Sequence, residues 1–141
     1  MNIQIEYGIE NISWIDVCEL IRVSPLGTRD PEKLRIASEN SFVVCSAYDS
    51  HKIIGFGRAL SDGHYQSAIY DVVVSPEHQN LGVGKLLMES LLMRLPSDGT
   101  TLIYVAPGKQ AFYKKQNFKH LKTGMGLFPD TKKSQENGYT Y

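Results

Sequence analysis

Residues 69 to 85, Ile-Tyr-Asp-Val-Val-Val-Ser-Pro-Glu-His-Gln-Asn-Leu-Gly-Val-Gly-Lys, constrain this chain more than any other stretch. The β-branched run Val72, Val73 and Val74 fits a buried strand. Pro76 ends it, because proline has no N–H to give to a ladder. A polar turn, Glu77 to Asn80, then leads to Gly82 and Gly84. Helical periodicity takes over, with Val83, Leu86, Leu87, Leu91 and Leu95 at three- and four-residue steps. A strand, a glycine-bearing loop and a helix start therefore follow one another. The first turn of a helix leaves about four N–H groups without internal partners. With the aligned peptide dipoles they make a positive end that suits a phosphate. Glycine lets a ligand approach the backbone, and Lys85 adds a cation.

Two familiar phosphate loops fail by counting. A Walker loop needs glycine where Gln79 stands and Ser or Thr where Leu86 stands. A dinucleotide fingerprint needs a third glycine at Leu87. The pattern that fits is Gln79-x-x-Gly82-x-Gly84, preceded by Val74-Ser75-Pro76 on a strand end. It resembles motif A of the GCN5-related N-acetyltransferase (GNAT) family, whose members hold the pyrophosphate of acetyl coenzyme A. The resemblance covers most of the chain and is firmest over residues 42 to 118. It implies that Asn80, Leu81, Gly82, Val83, Gly84 and Lys85 take the pyrophosphate. It also implies that the backbone of Val72, Val73 and Val74 bonds the pantetheine arm as an added strand would. One of those N–H groups would polarise the thioester carbonyl. The bland alternative is a strand–helix turn that binds nothing.

A second motif carries the resemblance further. Many members of the family have an aromatic–Tyr pair, three residues and then Gly-Phe; here Phe112-Tyr113 is followed by Lys114-Lys115-Gln116 and Asn117-Phe118. Asn117 replaces the glycine, and asparagine ranks next for a left-handed helix end. The resemblance gives Tyr113 the role of protonating the leaving thiolate. A thiol near ~8.5 and a phenol near ~10 make that transfer uphill by about 2 kcal/mol, which a transition-state hydrogen bond can offset. The alternative is a tyrosine that only packs its ring.

The acceptor amine, near ~10.4, must lose a proton at a cost of about 4 to 5 kcal/mol at pH 7. A base, or a water chain leading to one, is useful. Asp71 is the best-placed carboxylate, on the central strand and on one face with Ile69 and Val73. Half-burial would suit it to the task; equally, it can pair with a neighbour such as Arg58 and hold the fold. Asp62 and His64 are weaker candidates. The acceptor cleft is expected among residues 24 to 29, 61 to 65 and 125 to 128.

Composition sets the outer bounds. A chain of 141 residues, 42% apolar and 21% charged, reads as one globular domain spanning residues 1 to 141. Fifteen basic and fifteen acidic residues cancel, so nothing points to nucleic acid. No apolar run reaches the length of a membrane span, and the first residues lack a signal segment; a cytoplasmic location is expected. Cys18 and Cys45 match neither a redox pair nor a zinc site, and His51, His64, His78 and His120 lack ligand spacing, so no metal is expected.

The remaining elements follow from periodicity and punctuation. A first strand covers Ile3, Ile5 and Tyr7. Ser13 caps a helix from about Trp14 to Val23, and Asp30 with Pro31 opens another. Strands are expected over residues 41 to 48, 52 to 60, 65 to 74, 101 to 106 and about 119 to 127. A short helix is expected over 109 to 116, and a frayed tail from 129. The order is α+β: a mixed, mostly antiparallel sheet flanked by helices, with one parallel crossover at about 69 to 106. This element order is also that of the family. The resemblance thus implies direct acetyl transfer from acetyl-CoA to a primary amine of a small molecule or peptide, without a protein nucleophile. A rival is a non-catalytic acyl-CoA sensor or scaffold, and a third reading is a structural interaction domain. Edge strands make a homodimer an expectation by family analogy.

Overall fold

The structure, a computed structural model, describes residues 1 to 141. They resolve into two compact units, residues 1 to 103 and 104 to 141. The first holds β1 (Ile3–Tyr7), α1 (Trp14–Arg22), α2 (Pro31–Glu39), β2 (Val43–Asp49), β3 (Lys52–Ser61), β4 (Gln66–Val74), a 3-10 turn (Pro76–His78), α3 (Val83–Met93) and β5 (Thr100–Leu102). Its five strands form one sheet in the order β1-β2-β3-β4-β5. The pairings are antiparallel up to β4, and β4–β5 is parallel. The expected mixed sheet and the β4–α3–β5 crossover are both present.

The two faces of the sheet carry different side chains. On one, Val17, Ile21 and Leu34 of α1 and α2 meet Val44, Ile53, Phe56 and Val73 of the strands. On the other, α3 lies against β3 at two glycines. A Cβ on Gly55 would stand 2.8 Å from Leu87 Cδ1, and one on Gly57 would stand 3.0 Å from Leu91 Cδ1. The glycines that weaken β3 as a strand let the helix seat closely. Full burial of Leu87, Met88 and Leu91 follows, each contributing roughly 1.5 to 3 kcal/mol.

The second unit contains α4 (Gln110–Lys115) and α5 (Thr131–Glu136) and no strand. The strand expected over 101 to 106 is only Thr100–Leu102. The one expected over 119 to 127 does not form. Gly124 and Gly126 interrupt it, and Met125 and Leu127 are fully exposed, so alternation there buries nothing. The tail expected to fray is a capped helix instead. Asp130 accepts from the Lys133 N–H at 3.0 Å. At the other end Gly138 turns left-handed, and the Tyr139 N–H donates to Ser134 O at 2.9 Å. Tyr139 then stacks edge-on against Tyr104 at 5.9 Å and lies 6.2 Å from Phe128.

Candidate active site

The start of α3 differs from that of its neighbours. Ser13 caps α1 and Asp30 caps α2, each through a side-chain oxygen, and each first turn carries an acid, Asp16 and Glu32. α3 has Gly82 at its cap position, no capping side chain and no acid in its first turn. Its first internal bond runs from the Leu86 N–H to Gly82 O at 3.1 Å. The N–H groups of Val83, Gly84 and Lys85 precede that bond and are left open. Asn80 and Gly82 both take left-handed backbone, at φ 64° and 85°. A Cβ on Gly82 would meet nothing within 4 Å, so conformation, not space, asks for glycine there. Asn80, Leu81, Gly82 and Lys85 are exposed, Gly84 is half-buried, and Val83 is buried.

The strand leading to this loop has a free edge. β5 pairs only with Gln66, Ser67 and Ala68 of β4. Beyond Ala68 that side of β4 has no strand beside it. The Ser75 N–H donates to Ile54 O at 2.7 Å, on the β3 side. Ladder alternation then turns the peptide groups of Val74 to the open edge, where Gln79 Nε2 donates to Val74 O at 3.2 Å. The open edge thus presents Val74, ahead of the exposed loop residues Asn80, Leu81, Gly82 and Lys85, while Val72 is half-buried and Val73, 5% exposed, turns its peptide groups to Phe56 of β3.

Asp71 sits in a β-bulge. Phe56 pairs with Val73 and Arg58 with Tyr70, so Asp71 and Val72 together oppose Gly57. Asp71 adopts φ 58°, a region that aspartate tolerates better than most residues. The extra residue reverses the alternation. Ile69 pairs with Ala59 on the α3 face, whereas Val73 pairs with Phe56 and joins the core under α1. The expectation that Asp71 shares one face with both is corrected: the two point to opposite faces. Asp71 Oδ2 accepts from Arg58 Nε at 2.8 Å and Oδ1 from Arg29 Nη2 at 3.1 Å. The pair with Arg58 is the one weighed against a base role; Arg29 is an additional partner. Arg29 Nη1 also donates to Leu26 O at 3.2 Å, and Arg58 Nη1 to Ser41 Oγ at 3.3 Å. One carboxylate therefore fastens the loop 24 to 29 and the end of α2 to β4. Asp62 is occupied differently. It accepts from the N–H groups of His64, Tyr65 and Gln66 at 2.8, 2.7 and 3.1 Å, and these bonds, His64 first, hold its carboxyl below the usual range.

In the second unit Tyr113 lies on α4. Its ring meets Phe112 edge-on at 4.9 Å and Phe118 at 6.1 Å. Burial pushes its phenol up to about 12. Asn117 takes φ 70° as expected. The Phe118 N–H donates to Tyr113 O at 3.1 Å and the Asn117 N–H to Lys114 O at 3.0 Å, closing the helix in a Schellman motif. Neither thiol is set up as a nucleophile: burial raises Cys18, and takes Cys45 to about 12. No group of three or more His, Cys, Asp or Glu side chains converges on a point. No helix is long and apolar enough to cross a membrane.

Comparison with known proteins fits this geometry. The chain is 34% identical over 96 residues to the uncharacterized N-acetyltransferase ycf52 of Pyropia yezoensis, covering 64% of this chain and 55% of that protein. It is 35% identical over 96 residues to the chloroplastic serotonin N-acetyltransferase 2 of Oryza sativa subsp. japonica, covering 64% of this chain and 48% of that protein. The chain thus spans about half the length of these curated relatives. A GNAT-family acetyltransferase from Streptococcus pneumoniae TIGR4 superimposes with a TM-score of 0.76 at 24% identity, over 90% of this chain and 96% of that one, which speaks for the fold. The profile of the Acetyltransferase (GNAT) family matches residues 10–118, and the chain belongs to that family.

Proposed function

We propose that the protein transfers an acetyl group directly from acetyl-CoA to a primary amine of a small molecule or a peptide. The observation that carries this reading is the uncapped start of α3, with left-handed Asn80 and Gly82 ahead of three open amides. Those amides and Lys85 would hold the diphosphate, and the free edge of β4 that ends at Val74 the pantetheine arm. The thioester itself supplies the activated acyl group. A small amine as acceptor has support in the rice relative, which is named for serotonin acetylation.

Tyr113 takes the acid role by its place in the aromatic–Tyr motif. Its raised value keeps the proton on the phenol throughout the neutral range. It also widens the gap to a thiol near ~8.5 to roughly 3.5 pH units, about 5 kcal/mol, so Tyr113 assists the step and does not drive it. Each Asp71 oxygen already meets a guanidinium. Taking the amine proton there would weaken two ion pairs, so we assign Asp71 to anchoring and leave deprotonation to a water route. Those same two facts favour a second reading, a module that binds acyl-CoA without turning it over.

Incubation with acetyl-CoA and a panel of amines, read as free thiol, separates the two. Thiol release with any amine above the amine-free rate supports transfer. Coenzyme binding with no release across the panel supports the module. Tyr113→Phe should lower turnover about tenfold with coenzyme affinity unchanged; an unchanged rate removes Tyr113 as the acid.

A further inference from the structure

The balanced net charge conceals a division along the chain. Residues 1 to 103 carry eight basic side chains against thirteen acidic ones, and residues 104 to 141 carry seven lysines against Asp130 and Glu136. No acid occurs between Asp98 and Asp130, whereas Lys109, Lys114, Lys115, Lys119 and Lys122 do. All five are exposed. The ion pair of this unit joins two other residues, Lys132 and Glu136, at 4.0 Å, so these five charges are unanswered.

The same stretch holds large apolar side chains in water. Leu121 is 56% exposed, and Met125 and Leu127 are fully so. Rings fix the segment at both ends: Phe118 meets Tyr113 at 6.1 Å, and Phe128 meets Tyr104 edge-on at 5.9 Å. Between these anchors no backbone–backbone hydrogen bond involves residues 119 to 127. A loop kept only for solubility carries mixed charges and few large apolar groups. This one sets Leu, Met and Leu beside charges of a single sign.

We propose that the loop 119 to 127, with the lysines ahead of it, docks on a membrane surface that contains anionic lipid. The lysines face the headgroups, and Leu121, Met125 and Leu127 enter the boundary with the acyl chains. The contact is shallow. Peptide groups without partners must stay wet, so the side chains insert and the backbone does not. Such a segment lies on the bilayer and needs no spanning helix. A nucleic acid fits less well. Every cation here is lysine, a point charge without the planar fork of arginine. The loop holds no Phe, Tyr or Trp to stack on a base, and exposed Leu and Met gain nothing from phosphates. Docking of this kind is independent of acetyl transfer.

Co-sedimentation of the full chain with vesicles at low salt tests this, phosphatidylcholine alone being set against an equal mixture of phosphatidylcholine and phosphatidylglycerol. Wild type is compared with Lys119→Gln plus Lys122→Gln and with Met125→Ser plus Leu127→Ser. All four side chains are exposed, so each variant keeps the fold, which thermal melts check. A lysine near an anionic surface strengthens partition about fivefold, equivalent to about 1 kcal/mol. Wild type should therefore prefer the mixed vesicles by about a hundredfold or more. The lysine variant should lose about twenty- to thirtyfold, and this loss should shrink as salt rises. The Met125, Leu127 variant should lose about tenfold at low and high salt alike. Equal binding of wild type to both kinds of vesicle, or binding to neither, overturns the proposal. So does unchanged partition of the Met125, Leu127 variant, because lysines alone bind any polyanion; tight binding of that variant to polyglutamate then points to an acidic protein instead.

Discussion

Two regions of the first unit treat polar groups in opposite ways. Around residues 13 to 41 and Asp71, charged and capping groups are answered from within the chain. Ser13 and Asp30 cover the starts of α1 and α2, and Asp71 is met by Arg29 and Arg58. Around residues 80 to 85 the amides are left open, and the backbone is bent left-handed at Asn80 and Gly82. Answered groups add stability. With glycine at its cap the open helix start forgoes only about a few tenths of a kcal/mol of capping and leaves its donors free for an anion. The same physics thus reads one region as scaffold and, under the proposed function, the other as site.

The contrast breaks most sharply at Gly82. Glutamate there places a negative charge among the open amides and a side chain at φ 85°. Coenzyme A affinity should fall about a thousandfold, equivalent to about 4 kcal/mol, by calorimetry. Affinity within twofold of wild type would mean that the amides serve nothing. Asp71→Asn attacks the other side. Asparagine accepts the left-handed bulge, so the change removes charge and leaves backbone strain alone. Two guanidiniums lose their anion, and stability should drop by about 3 kcal/mol, with the acidic limb of the rate profile in place. Loss of that limb with unchanged stability would make Asp71 the base.

How much of this division was legible depends on range. The strand end, loop and helix start over residues 74 to 85 read correctly because Pro76, Gly82 and the helical leucines act through local geometry, and Asn117 does so for the same reason. The bulge was not legible. It exists in the register between β3 and β4, where Gly57 faces two residues, and it carries Val73 to the face opposite Ile69. The Arg29–Asp71 pair spans 42 positions and has no local signature. The contact of His78 with Asp49 spans 29 positions and likewise has no local signature. The strand expected over 119 to 127 failed for another reason. Alternation was present, but two glycines and the lack of a covering face left Met125 and Leu127 in solvent. In that unit the rings of Tyr104, Phe128 and Tyr139 meet one another instead.

A gentler cut is Asp30→Ala. It converts a capped start into an open one by removing the bond from the Lys33 N–H to Asp30 Oδ2 at 2.9 Å. Stability should fall by about 1 kcal/mol with no gain of coenzyme or anion binding at α2. New anion binding there would show that any uncapped helix suffices, and that the left-handed residues before α3 are incidental.

Lys85→Ala is expected to have the smallest effect, and its sign is informative. Lys85 is 66% exposed on its side chain and lies 3.9 Å from Glu89. An exposed pair at that spacing contributes about 0.3 to 0.5 kcal/mol. A cation in the first turn opposes the helix dipole by a similar amount. Without ligand these terms nearly cancel, so the melting temperature of the free protein should hardly move. With ligand they do not cancel, because the lysine then faces a diphosphate. Coenzyme affinity should fall about three- to tenfold at low salt, and the loss should shrink as ionic strength rises and the charges are screened. A lysine kept for the fold gives the opposite result: a lower melting temperature and an unchanged, salt-insensitive affinity.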